Sequence, residues 1–581
     1  MRRRLIVRDA ATQRPLPVRL SFHGSGVADI WGRDAAGQDL TYLGPPRIWC
    51  DGDWEGDLPD LPLTVSISHL YEYVTQQIKL APDDEEETHT VLLDRHCCPG
   101  GEGWVAGDAH QHVVHGEAEL AINLPLATAI SRAEGVSWMV YDARFTSVQG
   151  EAEPGVDEKT RLCAEASTGD FLALWADEYP KHDLGHLAAF PLRDPADLRD
   201  VAGEGVYRLE DGMRTPFLNF ESIRVLHRHG STALYSHPVR ELGGTPGRVG
   251  NISRELPLDA VVAPWALDSI DLFTDEIGDP LCLDMWYMLL NDGHRIGVCA
   301  FNDACFDRSG RKLGFHEPVA YRRTYVKVED PLRPQALVEG IRAGRTFGTT
   351  GPIVLIDIDG AGPGHVYESS PTPRTLKIRA WAAPDYLDPA TDTGISRVQV
   401  IRNGQILKEW TFDGSMHKQV ELEEVVAEDA TAWYVVRVEG SAPDQLAITS
   451  PVYFEASNYI APAPYIATVH AIITDARTSL PLDGRMQIVA FDKEQTEVLE
   501  TMPFEKGHLT CSLPGDLRLR AIVDGYQDMI LSPILDCEEI YRDIMGGIRR
   551  QDLADPAYLD RLRAALDEVN LSFPMVPESA A

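Results

Sequence analysis

The chain has 581 residues, of which 90 are acidic and 53 are basic, so its formal net charge is −37. At about 150 residues per domain, this length predicts about four domains. The acidic excess repels phosphate backbones and anionic membranes, so we expect no nucleic-acid partner and no membrane partner.

The nine cysteines are scattered along the chain, and no C-x-x-C pair occurs. This pattern is typical of reduced thiols rather than a disulfide framework. The first apolar run, Leu5 to Val7, is too short for a signal peptide, and no run is long enough for a membrane helix. We therefore expect a soluble, cytoplasmic protein.

Residues 1–95 contain short apolar segments separated by Pro, Gly and Asp, which predicts an N-terminal β-sandwich module. The segment "DAATQRPLPVRL" from Asp9 shares six residues at equal offsets with "DARTSLPLDGRM" from Asp475. We interpret this echo as a second β-sandwich module over residues 458–535, resembling the first. Chance similarity of turn chemistry is the alternative interpretation.

Strand-like and helix-like segments alternate over residues 96–352, which favours a parallel sheet or a barrel. Seven strands are expected there, in "WVAGDAHQH", "VSWMVYDAR", "FLALWADEY", "GHLAAFPL", "TALYSHP", "SIDLFTDE" and "IGVCAFNDAC". Residues 353–457 predict an Ig-like β-sandwich domain with a hairpin at "RNGQ". Residues 536–581 predict a helical C-terminal tail.

Metal-ligating side chains occur where the seven predicted strands end. The candidates are His110 and His112, Asp142, Glu178 with Asp177 as its rival, His237, Asp275 or Glu276, and Asp303, while His186 begins the fourth strand. The C-terminal ends of barrel strands form one rim, and His, Asp and Glu together suit a divalent metal ion. One H-x-H pair alone is weak evidence for a metal site, because His227 and His229 also form such a pair. The pattern as a whole predicts a metal site.

The segments "GDAHQH", "ADEYPKHDLGH", "YSHP" and "FNDAC" occur in the order of the four metal motifs of the polymerase-and-histidinol-phosphatase (PHP) superfamily. Together with "GIRAGRTFGTTGPIVLIDIDGAGPG", they resemble the CehA/McbA branch, which includes carbaryl hydrolase. This resemblance implies a multidomain α/β plus all-β protein, in which β-sandwich modules flank a distorted (β/α)7 barrel. It also implies a metal-dependent hydrolase.

Carried over by position, the resemblance implies a first metal held by His110, His112, Glu178 and Asp303. A second metal would be held by Glu178, His186 and His237, with Glu178 bridging. Ala143 and Cys305 stand where the superfamily often has histidines for a third metal. We therefore expect one or two divalent ions (Zn, Mn or Fe) and no role for Cys305 as a ligand.

The main functional hypothesis is hydrolysis of a small-molecule ester, carbamate, amide or phosphoester by metal-activated water, in a possible homo-oligomer. Asp142 or Asp303 would accept the proton. His115, Arg144 and His182 are further candidates near the same rim. Two alternatives stay open: a non-catalytic binding or scaffold protein with a degraded barrel and a structural metal, and a PHP-type phosphodiesterase.

Overall fold

The structure is a computed structural model of the whole chain. It describes all residues except 1, 26–46, 85–86, 115–121, 147, 180–185, 193–217, 241–255, 274–276, 307–318, 330–331, 387–388, 414–415, 493–494, 538–539, 541–547 and 579–581, and it leaves out the side chains of 143, 177–179 and 305.

The first part of the chain forms two small sheets. Their strands are β1 (Arg2–Asp9), β2 (Val18–Gly24), β3 (Arg47–Cys50), β4 (Asp53–Asp57), β5 (Leu63–Ser68), β6 (Gln76–Leu80) and β7 (Thr88–Leu93). The strand orders are β4-β1-β7 and β3-β2-β5-β6. Alternate residues of β1 are buried, including Leu5 and Val7, as expected for a strand with one face against a core.

The central part places most of its strands in one large sheet. The strands are β8 (Trp104–Val114), β9 (Trp138–Ala143), β10 (Leu172–Tyr179), β11 (Leu187–Phe190), β12 (Thr232–Tyr235), β13 (Ser269–Asp271), β14 (Gly297–Cys299), β15 (Ala304–Cys305), β16 (Arg323–Lys327) and β17 (Thr346–Thr349). The helices are α1 (Leu124–Ala133), α2 (Val156–Ala166), α3 (Asn219–Arg228), α4 (Leu256–Val262), α5 (Pro280–Asn291) and α6 (Pro334–Arg342). Each of the seven segments expected to form a strand contains one.

The prediction of a (β/α)7 barrel is wrong. Strands β14 to β8 stand in the order 14-13-12-11-10-9-8, but the same sixteen-stranded sheet continues through β16 and β17 into the next part of the chain. Strand β11 runs antiparallel to both β10 and β12, so the sheet is mixed rather than parallel. The alternating pattern did not reveal this reversal, because strand direction depends on the connections and not on local periodicity.

The next part of the chain is all β. It contains β18 (Ile353–Ile358), β19 (Val366–Glu368), β20 (Ser370–Trp381), β21 (Ile395–Arg402), β22 (Gln405–Thr411), β23 (Gln419–Glu428), β24 (Ala432–Gly440), β25 (Leu446–Thr449) and β26 (Val452–Glu455). One sheet has the order β18-β20-β23, and the other continues the large sheet as β17-β25-β24-β21-β22. The "RNGQ" turn joins β21 to β22 with Asn403 and Gly404 at positive φ, as its sequence predicts.

The last part repeats the strand order of the first. It contains β27 (Ile466–Asp475), β28 (Gly484–Phe491), β29 (Thr496–Phe504), β30 (His508–Pro514), β31 (Arg518–Ile522), β32 (Met529–Leu531), the helix α7 (Pro556–Asp567) and β33 (Glu568–Met575). The strand orders are β30-β27-β33 and β29-β28-β31-β32. If β27 to β33 are numbered from one to seven in chain order, these two strand orders are the same as those of β1 to β7. The segment expected to be a helical tail therefore ends in a strand, β33, which pairs in parallel with β27.

The two modules also share hydrogen bonds at the turn after their first strands. Asp9 accepts hydrogen bonds from the backbone N–H of Thr12 at 2.6 Å and from the hydroxyl of Tyr73 at 2.7 Å. Asp475 accepts them from the N–H of Thr478 and the hydroxyl of Tyr526, both at 2.7 Å. This bonding holds the pKa of Asp475 at about 2, first through Tyr526.

No helix among the described residues is long and apolar enough to cross a membrane.

Replacing Asp475 by Asn should destabilise the last module, because the amide nitrogen cannot accept the hydroxyl proton of Tyr526. The stabilisation by the carboxylate is complete above its ordinary pKa of 3.8 and is lost as the pH falls through about 2. We expect thermal unfolding of the parent, but not of Asp475→Asn, to lose this contribution between pH 4 and pH 2. Asp9→Asn is the matched change in the first module. Equal acid sensitivity in parent and Asp475→Asn would contradict the assignment.

Candidate metal centre

The H-x-H segment lies in β8, which stands between β9 and β16 in the large sheet. Gly107 is needed there because a Cβ at this position would lie 2.1 Å from the indole of Trp138 on the neighbouring strand. The pairing of β8 with β9 shifts register between Asp108 and Gln111 and again between His112 and Val114. Such irregularities redirect side chains and are common beside functional sites.

His110 and His112 are fully buried, and their Nε2 atoms lie 3.2 Å apart. Asp303 approaches both: its Oδ1 atom is 3.5 Å from Nε2 of His110 and 3.3 Å from Nε2 of His112. One donor atom from each of the three residues lies within 4.8 Å of the other two. The structure therefore brings these three candidate residues together.

The backbone brings Asp303 to this position from almost two hundred residues away. Its N–H donates to the carbonyl of His110 at 3.0 Å, and β15 then pairs in parallel with β8. Asp303 has φ of 46° and His237 has φ of 34°, which few non-glycine residues adopt. Two candidate ligands thus occupy costly backbone conformations, a feature that clusters at functional sites.

Two further predicted residues border the cluster. Oδ2 of Asp142 lies 3.5 Å from Nε2 of His110, and Nε2 of His237 lies 3.9 Å from Oδ2 of Asp303. The ring of His186 is 5.3 Å from that of His237, centroid to centroid. His186 therefore contacts the cluster through His237.

Other predicted residues are not brought to the cluster by the described structure. Glu178 and Asp177 lie in β10, opposite Ala188 and Ala189 of β11, but their side chains are outside the described part. His115, His182, Asp275 and Glu276 also lie outside it, as does the side chain of Cys305. Arg144 is exposed and its backbone bridges to Val114.

Three polar residues around the cluster were not predicted. Oδ1 of the buried Asp108 accepts hydrogen bonds from the N–H of His110 at 3.0 Å and of Asn302 at 3.3 Å. Oδ2 of Asp271 accepts the N–H of His237 at 3.4 Å. Arg240 donates to Oδ2 of Asp303 at 2.9 Å. The two carboxylates hold the backbone at His110, Asn302 and His237. The guanidinium of Arg240 offsets part of the charge of Asp303.

A sequence signal existed for two of these residues. Asp108 stands two and four residues before His110 and His112, so it shares their side of an extended strand. Asp271 ends β13, whereas the prediction had placed the end of that strand at Asp275 or Glu276. Arg240 carried no such signal. Burial raises the pKa of Asp108 well above its usual value.

The separations fit a single ion. For a tetrahedral ion with ligand bonds of about 2.0–2.1 Å, the ligand atoms lie about 3.3 Å from one another. The measured separations are 3.2, 3.3 and 3.5 Å. Imidazole nitrogen and carboxylate oxygen suit Zn, Mn or Fe, so the donor set fits the predicted ion.

Comparison with known proteins gives no support to the resemblance noted in the sequence. No family model matches the chain, and no curated protein matches it. The matching solved structures include the pilus backbone protein RrgB of Streptococcus pneumoniae, at 10% identity and a TM-score of 0.12, covering 31% of this chain and 54% of that one. They also include the major pilin SpaD of Corynebacterium diphtheriae, at 9% identity and a TM-score of 0.12, covering 39% of this chain and 65% of that one. A third is the pilus 2b backbone protein of group B streptococcus, at 11% identity and a TM-score of 0.12, covering 39% of this chain and 98% of that one.

These findings contradict the identification with the PHP superfamily and its CehA/McbA branch. The hydrolase activity, the small-molecule substrate and the cytoplasmic location were implied by that identification and are withdrawn with it. The chain spans only about half of the first of these proteins. At a TM-score of 0.12 the likeness is too low to give this chain a pilin fold or a role in a pilus.

Asp108→Ala should destabilise the protein by about 1–3 kcal/mol, because two buried N–H groups lose their acceptor. Asp108→Asn keeps an oxygen at this position and is expected to cost clearly less. Chemical denaturation of the two variants and the parent measures the difference. Equal stability of the Ala and Asn variants would contradict a role for Asp108 in holding the backbone of His110 and Asn302.

Proposed function

We propose that the chain is a non-catalytic binding and scaffold protein, and that its buried histidine and aspartate cluster holds one or two divalent metal ions in a structural role. The observation that carries this proposal is the approach of His110, His112 and Asp303 to within 4.8 Å of one another. A single ion at this point would join β8 to the segment that leads into β15.

Burial supports a structural role. His110 is 0% exposed, His112 is 1% exposed, and the side chain of Asp303 is 13% exposed. Structural sites surround the ion with protein ligands, whereas catalytic zinc keeps a position open to water or substrate. Asp142 and His237 would complete the set on either side, and Glu178 and His186 are the remaining candidates.

Architecture supports the scaffold part of the proposal. The chain carries two modules of equal strand order, one at each end, together with a further all-β part that extends the central sheet. Such modules present large surfaces for binding. In this arrangement the metal stabilises the body on which those surfaces are carried.

The test is metal content and stability of the purified full-length chain. We expect about one or two equivalents of Zn, Mn or Fe, and most of this metal should be lost in His112→Ala and in Asp303→Asn. Chelation should lower the melting temperature of the parent by at least about 5 °C and should leave the two variants unchanged.

His294→Ala is the matched control, because His294 is also buried and paired with an aspartate, Asp292, at 3.2 Å, but lies outside the cluster. It should keep its metal. A parent without bound metal would overturn the metal site. Metal-dependent hydrolysis of aryl esters or carbamates that disappears in His112→Ala would overturn the non-catalytic role.

A further inference from the structure

A cavity lies between the first module and the all-β part, and none of its lining residues belongs to the metal cluster. It is a cavity of about 580 Å³, within the range of about 300–1,000 Å³ that is usual for small-molecule sites. Its lining includes Thr75, Gln77, His96, Trp381, Asp392 and Gln419. The cavity therefore combines one large aromatic ring with hydroxyl, amide, imidazole and carboxylate groups.

Two of the lining residues bury polar atoms that have no hydrogen-bond partner in the described part of the chain. These atoms are Oγ1 of Thr75 and Nε2 of His96. A buried polar atom without a protein partner is satisfied by ordered water or by a ligand. Burial lowers the pKa of His96 to about 4, against the opposing effect of a hydrogen bond with the backbone of Ala382, so its ring is neutral near pH 7 and Nε2 is left for a ligand.

The aromatic ring belongs to Trp381, the last residue of β20. Lys377, Arg379 and Trp381 alternate with buried residues on this strand, so they share its outward face. Cζ of Arg379 lies 5.6 Å from the centre of the Trp381 ring. The indole is partly exposed and forms no hydrogen bond with a described residue. It provides an apolar surface with a polar N–H at its edge.

Charge limits the class of ligand. Lys418 is the only lysine or arginine among the described residues that line the cavity, and it is already paired with Asp392. Arg379, beside the Trp381 ring, is paired with Glu102 at 2.7 Å, so an anion would find no unpaired cation at the cavity, and the net charge of −37 repels it. A cation would find Asp392 already neutralised. The lining is therefore best matched by an uncharged ligand.

We propose that this cavity binds a neutral sugar, with Trp381 against an apolar face of the ring. Thr75, His96, Gln77 and Gln419 would bond its hydroxyl groups. A sugar unites many donors and acceptors with apolar C–H faces, which is the combination that the lining offers. The site uses no residue of the metal cluster, so it stands or falls independently of the metal.

The experiment uses the full-length chain and saturation-transfer NMR with glucose, galactose, mannose, N-acetylglucosamine, maltose and cellobiose, followed by titration calorimetry of each sugar that binds. We expect at least one sugar to bind and Trp381→Ala to weaken it at least about tenfold. Thr75→Val, which removes only the hydroxyl, should weaken it several-fold.

Trp410→Ala is the matched control, because Trp410 is also partly buried and has Lys408 at 5.6 Å from its ring, but lies on β22 outside the cavity. Trp410→Ala should bind the sugar with the same affinity as the parent. Gln419→Ala serves as the test variant if circular dichroism shows that Trp381→Ala is misfolded. Binding of none of the six sugars, equal binding by parent and test variant, or tighter binding of glucuronate or glucosamine than of the neutral sugars would overturn the proposal.

Discussion

A single buried carboxylate joins three parts of the molecule. Glu134, the residue that follows α1, is 0% exposed and accepts hydrogen bonds from Arg19 at 3.2 Å and from the indole of Trp49 at 2.7 Å. Arg19 is itself fully buried and donates to the carbonyl of Tyr386 in the all-β part. Removing one partner of such a buried pair typically costs about 3–5 kcal/mol, since the other charge stays buried. The orientation of the first module therefore depends on this contact.

A second buried arginine strengthens the same junction. Arg323 on β16 donates to the carbonyls of Leu70, at 2.7 Å, and of Glu134, at 3.1 Å, and its guanidinium lies 4.2 Å from the ring centre of Tyr71. Planar guanidinium groups suit such sites because they satisfy several acceptors and stack on aromatic rings. The cavity beside Trp381 lies where the first module meets the all-β part, so its walls are held by the same contacts.

The last module is attached by comparable chemistry at a different helix. Glu221 of α3 forms two hydrogen bonds of 2.6 Å with Arg518 of β31, and both side chains are buried. Arg224 and Arg228, on later turns of α3, pair with Asp516 and Asp492 of that module. Although the two modules have equal strand orders, their docking contacts differ. Strand order alone therefore does not determine how each module attaches.

The sequence reveals local features better than long-range ones. The turns at Asp9 and Asp475 and the strand that carries both His110 and His112 follow from residue type and spacing. The direction of β11, the docking contacts of Glu134 and the role of Arg240 depend on residues far apart in the chain, which no local pattern encodes. Strand β33 was missed because it follows α7 without a break, although "EVNLSFPM" alternates in polarity.

The candidate metal centre gathers several carboxylates, and their negative charge requires compensation. Asp108, Asp142, Asp271 and Asp303 all lie around the same few histidines, and the first three are fully buried. Burying an ionised carboxylate costs several kcal/mol unless a cation or a proton compensates for it. Arg240 compensates for part of the charge of Asp303 through a hydrogen bond of 2.9 Å. The divalent cation proposed above, between His110, His112 and Asp303, would supply the remaining positive charge.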